Sequence, residues 1–506
     1  MRSSFPPRPS PTSRPPSFRP PPREEPRSAT GAAVHFRPAR LDAAELPVKL
    51  ACRFRFESAP VGPLAVLDLS ATGFAATNPS GLALEPGSAL ESFELILGER
   101  VIWSGEAVVV HGSPHRMGGR FTSTLLDLDH LRLGATLESR LGILREQREL
   151  LPPEWRAAVS DLRQLIEDAR LEVDEFERVA SHDPLRRAED ETVLFAALRG
   201  TWGAVYFEAI AALHEQSKSL DERMVPIARA YASSALMPLL MACPMHRRAY
   251  EKPLGYAGDY RMMELYFTRD LTGDGLFGRF LHSIAQTYTL GRAVIARQTV
   301  MREAVETVIH TKDDAPARVL SLAAGPALEL RRLIEDISAL PRGLELILLD
   351  QDEAAHETAH GRLMRLLVER HKNGLPIQVQ CLHFSVRQLL KPQTPDEIRV
   401  RDIVLANLDL VYSAGLYDYL PEPVAVRLTE LVYGRLRPGG RLLLGNLVET
   451  PDTTWLMEYV LGWYLQYRTD ASMRTLAQSL TPAPARVDIT RDRTGRCLFL
   501  DVAKPR

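Results

Sequence analysis

Val319-Leu320-Ser321-Leu322-Ala323-Ala324-Gly325-Pro326-Ala327-Leu328-Glu329 decides how the C-terminal part of this chain reads. A short apolar run ends in small residues, and an amphipathic pattern starts at Leu328. That order predicts a buried strand, a tight turn and a helix. Small residues let the turn's backbone approach a ligand and leave the helix N-terminus open. Outward from this stretch, strand-like segments at 318–323, 344–349, 377–382, 408–413 and 441–447 alternate with helical ones at about 327–339, 353–372 and 422–436. Alternation of this kind means βαβ units, a parallel sheet with helices on both faces. The stretch 485–502 reads as a closing hairpin around Arg493-Thr494-Gly495.

In such a sheet, ligands bind beyond the carboxyl ends of the strands, at the point where strand order reverses. The second strand ends in Leu349-Asp350-Gln351-Asp352. An acidic residue about 20 positions past the turn is placed to hydrogen-bond a ribose diol; the alternative is that Asp350 merely caps the next helix. Tyr417, Asp418 and Tyr419 leave the fourth strand at the same rim.

Upstream, from about 125 to 310, the pattern is helical. Leu162, Leu165, Ile166, Ala169 and Val173 keep a 3.6-residue spacing, with Ser160 and Asp161 as expected caps. Further helices are expected at about 190–216, 222–241 and 276–310. One irregular, aromatic and charged stretch interrupts them, holding Tyr250, Lys252, Tyr256, Asp259 and Tyr260. These side chains can close over the site, with Lys252 holding a substrate carboxylate; alternatively this is a structural loop whose tyrosines pack. His356, His360 and His383 lack a ligand-like partner set and read as surface or packing residues.

The 506 residues suggest about three domains. Lys+Arg 62 against Asp+Glu 64 excludes a broadly basic nucleic-acid binder as the simplest expectation. The first forty residues hold eleven prolines, eight arginines and two glutamates, so +6 of the −2 total sits there and −8 in the remainder. Such a segment cannot bury enough apolar surface to offset its ordering entropy, and 1–33 reads as a disordered tail. Residues 34–135 read as a small β-barrel, residues 136–312 as the helical region and residues 313–506 as the α/β domain. Strand signals in the barrel are Leu64–Leu69, Phe93–Leu97, 101–110 and Gly118–Phe121. Cys52, Cys243, Cys381 and Cys497 are far apart in sequence, which points to reduced thiols in a cytoplasmic protein, with no metal site. No uninterrupted apolar run reaches the roughly 20 residues of a membrane span; 231–243 and 455–467 are the best and too short. No secretory signal is expected.

The turn, Asp350 and Arg435-Leu436-Arg437-Pro438-Gly439-Gly440-Arg441-Leu442-Leu443-Leu444 together resemble class I S-adenosylmethionine-dependent methyltransferases. Ser321, Ala323, Gly325 and Ala327 stand where that family has an acidic residue and three glycines, and the Pro-Gly-Gly turn is one that nicotinamide-binding domains do not share. Asp409-Leu410-Val411-Tyr412-Ser413-Ala414-Gly415-Leu416-Tyr417-Asp418-Tyr419-Leu420 and the stretch 250–260 resemble the family making 3-hydroxypalmitic acid methyl ester, a quorum-sensing ester, over roughly 156–506. The resemblance implies an α/β Rossmann-like methyltransferase domain with the helical region as its substrate lid. It implies S-adenosyl-L-methionine held by Ser321, Ala323, Gly325, Pro326, Asp350, Gln351, Ser385, Val386, Ser413, Ala414 and Gly415. Tyr417, Asp418, Tyr256 and Tyr260 are then the catalytic candidates, and Tyr250, Lys252 and Asp259 bind substrate. The alternatives are a non-catalytic ligand sensor, an O-methyltransferase for another small molecule, and a nicotinamide oxidoreductase.

Asp68-Leu69-Ser70-Ala71-Thr72-Gly73 and Gly118-Gly119-Arg120-Phe121 are similar to the PilZ domain, the bacterial receptor for cyclic di-GMP. That resemblance implies Arg37, Arg40, Asp68, Ser70 and Gly73 as ligand residues. The usual arm of two arginines four apart is missing: Arg37 and Arg40 are three apart, and Arg53 and Arg55 follow. A degenerate barrel that mediates protein contacts is the alternative.

Overall fold

The computed structural model describes residues 40–78, 82–268, 270–311 and 315–506. The tail 1–33 and Arg37 lie outside the described residues. The chain divides into two units, one ending at Arg145 and one running from Glu146 to Arg506.

The first unit holds β1 (Arg40–Asp42), β2 (Leu50–Phe56), β3 (Ala59–Ser70), β4 (Gly73–Thr77), β5 (Ala89–Leu97), β6 (Arg100–Gly112) and β7 (Arg116–Phe121). Strands β3-β2-β5-β6-β7-β4 pair in that order, and β4 pairs back onto β3, which closes a six-stranded ring. Strand β1 adds to the outside of β3. Alternation drives closure: Leu50, Cys52 and Phe54 of β2 point inward between the less buried Ala51, Arg53 and Arg55. Phe54, Phe74, Phe93 and Phe121 fill the interior, with Phe74 and Phe93 centroids 4.3 Å apart. A Cβ at Gly73 would come within 2.4 Å of the Gly119 carbonyl oxygen, so the motif's glycine is needed for β4 to approach β7. Helix α1 (Leu128–Glu149) follows, with Leu131 and Ala135 in the barrel core.

The second unit starts with helices: α2 (Pro153–Val179), α3 (Pro184–Gly200), α4 (Trp202–Ser217), α5 (Val225–Leu240), α6 (Pro244–Glu251), α7 (Tyr260–Phe267), α8 (Gly275–Ala285) and α9 (Thr289–Ile309). Leu162, Ile166, Ala169 and Val173 form the buried stripe of α2. Ser160 and Asp161 do not cap it: α2 begins at Pro153, whose fixed φ suits the first helical turn, so both lie inside the helix. The stretch Pro184–Ser217 is, by length and composition, apolar enough to cross a membrane. Polar residues interrupt it, so it is not a continuous apolar run. It is two helices, and Phe195, Trp202, Tyr206, Ile210 and Leu213 belong to the core.

Seven strands follow: β8 (Ala317–Leu322), β9 (Leu344–Asp350), β10 (Ile377–His383), β11 (Leu408–Ser413), β12 (Leu436–Leu447), β13 (Arg486–Arg491) and β14 (Cys497–Ala503). Between them lie α10 (Leu328–Asp336), α11 (Glu353–Lys372), α12 (Val386–Leu390), α13 (Pro395–Arg399), α14 (Glu422–Gly434), α15 (Pro451–Trp455) and α16 (Asp470–Thr475). The sheet order is β10-β9-β8-β11-β12-β14-β13. The first five strands are parallel; β14 runs antiparallel to both β12 and β13. A nicotinamide-binding sheet orders its six strands 3-2-1-4-5-6, so the antiparallel strand wedged between the fifth and the edge sets this one apart. Order reverses between β8 and β11, and α9 packs beside both, so core residues of the helical region and of the sheet form one cluster.

Candidate functional site

A cavity of about 530 Å³ opens at the carboxyl ends of β8, β9 and β11. Ligand pockets fall at such switch points and at such volumes.

The turn after β8 forms its floor. Ala323, Gly325 and Ala327 all take left-handed backbone, at φ 55°, 53° and 47°. Glycine does this freely; alanine pays about 1–2 kcal/mol. Two alanines held this way mean that the surrounding structure enforces the turn. Ala327 is the N-cap of α10 and offers no side-chain cap, while the Glu329 carboxylate in the first turn accepts from its own N–H. The Gly325 N–H donates to Asp350 Oδ2 at 2.7 Å, and the Asp352 N–H donates to Asp350 Oδ1 at 3.0 Å. Asp350 therefore ties the β8 turn to the start of α11 while each of its oxygens keeps a further lone pair. Burial pushes its carboxyl above the usual range against these bonds.

Of the sequence-derived cofactor residues, Ala323, Gly325, Pro326, Asp350, Gln351, Ser385, Val386, Ala414 and Gly415 line the cavity. Ser385 is also the N-cap of α12, in a capping box with Gln388. Ser321 and Ser413 are buried and do not line it; the Ser413 hydroxyl donates to the Leu322 carbonyl at 3.0 Å, joining β11 to β8.

Of the catalytic candidates, Tyr256 and Tyr260 line the cavity and Tyr417 and Asp418 do not. The short helical turn Tyr417–Tyr419 sends alternate side chains different ways. Tyr417 is fully buried with its hydroxyl on Thr429 at 3.0 Å. Asp418 accepts from the Leu447 N–H at 2.7 Å, and burial raises its pKa. Tyr419 is the one that faces the cavity, its hydroxyl accepting from Trp463 Nε1 at 2.9 Å. Arg468 fixes the turn by donating to the Tyr417 and Leu420 carbonyls, each at 2.6 Å.

The three substrate candidates also stand apart from the cavity. Tyr250 is exposed. Lys252 is the left-handed C-cap of α6 and reaches toward the Leu461 carbonyl at 3.5 Å; burial lowers its pKa. Asp259 caps α7 through the Met262 N–H at 2.9 Å and pairs with Arg248 at 2.7 Å. Their stretch nevertheless supplies Leu254, Gly255, Tyr256, Gly258 and Tyr260 to the lining. Tyr256 donates to Asp352, and burial together with that carboxylate raises its pKa, so the phenol stays protonated. Burial does the same to Tyr419.

Sequence reasoning passed over Met263, Phe267, Val294, Arg297, Gln298 and Glu329. Arg297 carried a signal: it occupies a core position in the buried stripe Leu290, Ala293, Val294, Arg297, Met301 of α9. Glu329 is buried, accepts from the Tyr412 hydroxyl at 2.8 Å and has its pKa raised by burial. His356 is a packing residue, with Nε2 2.9 Å from the Leu382 carbonyl. Among the described residues no cluster of His, Cys, Asp and Glu is arranged to hold a metal ion, and the four cysteines are unbridged.

In the barrel, Asp68 bridges Arg40 at 2.9 Å and Arg116 at 2.7 Å. The Ser70 hydroxyl turns inward to the Gly73 carbonyl at 3.3 Å.

No family model matches the chain, and no curated protein matches it. Among solved structures it is similar to a possible exported protein from Bordetella parapertussis, at 18% identity and TM-score 0.37 over 70% of this chain and 99% of that one. It is similar to magnesium protoporphyrin IX methyltransferase from Synechocystis, solved with S-adenosylhomocysteine, at 13% identity and TM-score 0.34 over 51% and 97%. It is also similar to the S-adenosylmethionine-dependent methyltransferase SibL in its apo form, at 17% identity and TM-score 0.33 over 69% and 97%.

Proposed function

We propose that this chain is an S-adenosylmethionine-dependent methyltransferase whose acceptor is a small carboxylate with an apolar, fatty-acid-like tail, giving a methyl ester. One observation carries the reading. The cavity at the switch point joins a nucleotide-type edge (the Gly325 turn, Asp350, Ser385) to an apolar wall built from the helical region (Leu254, Met263, Phe267, Val294).

The residues fit the cofactor. A Cβ at Gly325 would meet nothing within 4 Å, so the turn's backbone faces open space. Asp350 retains lone pairs for a ribose diol, and Ala327 gives α10 no side-chain cap. When bound, S-adenosylmethionine supplies an electrophilic methyl, and its transfer to a carboxylate oxygen forms a C–O bond and breaks a C–S bond with no proton released. The chain's part is to orient and desolvate. Tyr256 and Tyr419 stay neutral. A carboxylate acceptor needs no general base, whereas a hydroxyl acceptor does.

Calorimetry with S-adenosylmethionine tests the reading: micromolar binding is expected, and absence of heat at millimolar ligand overturns it. Deuteromethyl-labelled cofactor in a cell extract, followed by mass spectrometry, identifies the acceptor as a product about 17 Da heavier.

The barrel's Asp68-Leu69-Ser70-Ala71-Thr72-Gly73 supports a second part of the proposal. It is a PilZ-like module that regulates the enzyme, with cyclic di-GMP as its ligand. Arg40→Ala and Ser70→Ala should each lower cyclic di-GMP affinity; equal affinity in both places any nucleotide elsewhere.

A further inference from the structure

Arg297 is 7% exposed and lines the cavity. Its Nη1 has no hydrogen-bond partner, and the nearest carboxylate oxygen, Asp418 Oδ2, stands 3.5 Å away. Nη2 has only the Met263 sulfur at 3.9 Å. Asp418 meanwhile gives its other oxygen to the Leu447 N–H. A guanidinium carries five N–H donors, and a buried cation without acceptors is costly. The next residue on α9, Gln298, also lines the cavity, with Oε1 buried and unpartnered. Gly415, at the end of β11, makes room for the group: a Cβ there would stand 2.7 Å from Nη2. The guanidinium thus lies against the strand end where strand order reverses, flanked by Met263 and Val294.

We propose that Arg297 anchors the carboxylate of the acceptor, with Gln298 Oε1 accepting from a donor on the same molecule. This rests on the methyl-transfer reading and adds a residue to it. Asp418 already supplies a counter-charge; a substrate carboxylate supplies the hydrogen-bond acceptor that Nη1 lacks. An end-on contact engages one carboxylate oxygen and leaves the other to form the new C–O bond. The neutral ester then loses the charge-assisted bond, which favours product release.

The test is calorimetry on the full chain with octanoate, octanamide, S-adenosylhomocysteine and 5′-methylthioadenosine. Wild type is expected to bind octanoate more tightly than octanamide. Arg297→Gln should lose about ten- to hundredfold in octanoate affinity, with octanamide and S-adenosylhomocysteine nearly unchanged. Arg297→Lys, which keeps the charge but not the fork, should fall between; it decides the matter if the glutamine variant does not fold. The assignment is overturned if wild type ignores octanoate, or if folded variants bind it as wild type does. It is also overturned if the loss falls on S-adenosylhomocysteine while 5′-methylthioadenosine is spared, because the arginine then holds the cofactor's own carboxylate. Selective octanoate loss in a protein that binds neither adenosyl compound upholds Arg297 and defeats the methyl-transfer reading.

Discussion

The barrel and the cavity both set arginines beside an aspartate, with opposite results. In the barrel, Asp68 engages Arg40 with one oxygen and Arg116 with the other, and both guanidinium groups are more than half exposed. In the cavity, Arg297 is almost fully buried, and Asp418 reaches it only at 3.5 Å while bound elsewhere. The same ingredients are satisfied among themselves in one place and left open in the other. Charges paired with one another at the surface do not mark a site; unfilled hydrogen-bonding capacity in a closed space marks where a ligand is needed. A second cavity makes the same point, since its Arg247, Arg248 and Arg261 pair with Asp274, Asp259 and Glu264.

The comparison breaks first at Asp418. Asp418→Ala strips the buried Arg297 of the carboxylate it pairs with and leaves the Leu447 N–H without its acceptor. Removing one partner of a buried pair costs about 3–5 kcal/mol, readable as the free energy of denaturant unfolding. A loss under about 1 kcal/mol would mean that water reaches the site and that Arg297 is not isolated. Next in size, Asp350→Ala removes the carboxylate that holds the Gly325 turn. It should weaken S-adenosylhomocysteine binding by about 1.5–3 kcal/mol, the value of a hydrogen bond to a charged group. Unchanged affinity would show that the ribose is held elsewhere.

Glu329 sharpens the contrast through pH. Burial raises its pKa above the ordinary 4.5. The native state therefore holds its proton more tightly than the unfolded chain does. Relative to Glu329→Gln, wild-type stability should be greatest below 4.5 and fall as pH rises through the raised value. Each tenfold gain in the native state's proton affinity makes that fall larger by about 1.4 kcal/mol. Unfolding curves of both proteins from mildly acidic to mildly alkaline pH check this; a difference that does not change with pH would mean that Glu329 is solvated.

The inner strands β8, β9 and β11 were legible because they are mostly apolar runs buried on both faces. The limits of β11 (Leu408–Ser413) and α11 (Glu353–Lys372) match the sequence pattern. Strands β2 and β4 were not legible. Arginines alternate along β2, and β4 is only Gly-Phe-Ala-Ala-Thr. The Gly325 turn and Asp350 were readable from spacing, since a strand end places its turn residues without tertiary information, while Ser385 came only from the family resemblance. The wall from α7 and α9 was not, because a residue facing a cavity and one facing a core share the same helical period. Only Arg297, polar in an apolar stripe, broke that pattern. Tyr417 and Tyr419 differ by which way a three-residue turn faces, and spacing does not encode that.

The glycine-poor turn supplies a smaller test on the cavity side. Ala327→Gly removes the left-handed alanine while adding freedom to the unfolded chain. Stability should rise by up to about 1 kcal/mol. A fall would mean that the Ala327 methyl, fully buried, contributes more by packing than its backbone costs.

The smallest effect belongs to the barrel and completes the comparison. Asp68 is about one-fifth exposed, but its two arginines reach it from solvent, at 66% and 51% exposure. In that setting the attraction is screened, and holding each long side chain in place offsets part of it. Asp68→Asn keeps the shape and an acceptor oxygen while removing the charge. Unfolding free energy should fall by only a few tenths of a kcal/mol per pair, and the loss should shrink further in concentrated salt. A loss of several kcal/mol would place Asp68 in the same class as Asp418, and the contrast between a satisfied surface and an open cavity would no longer hold.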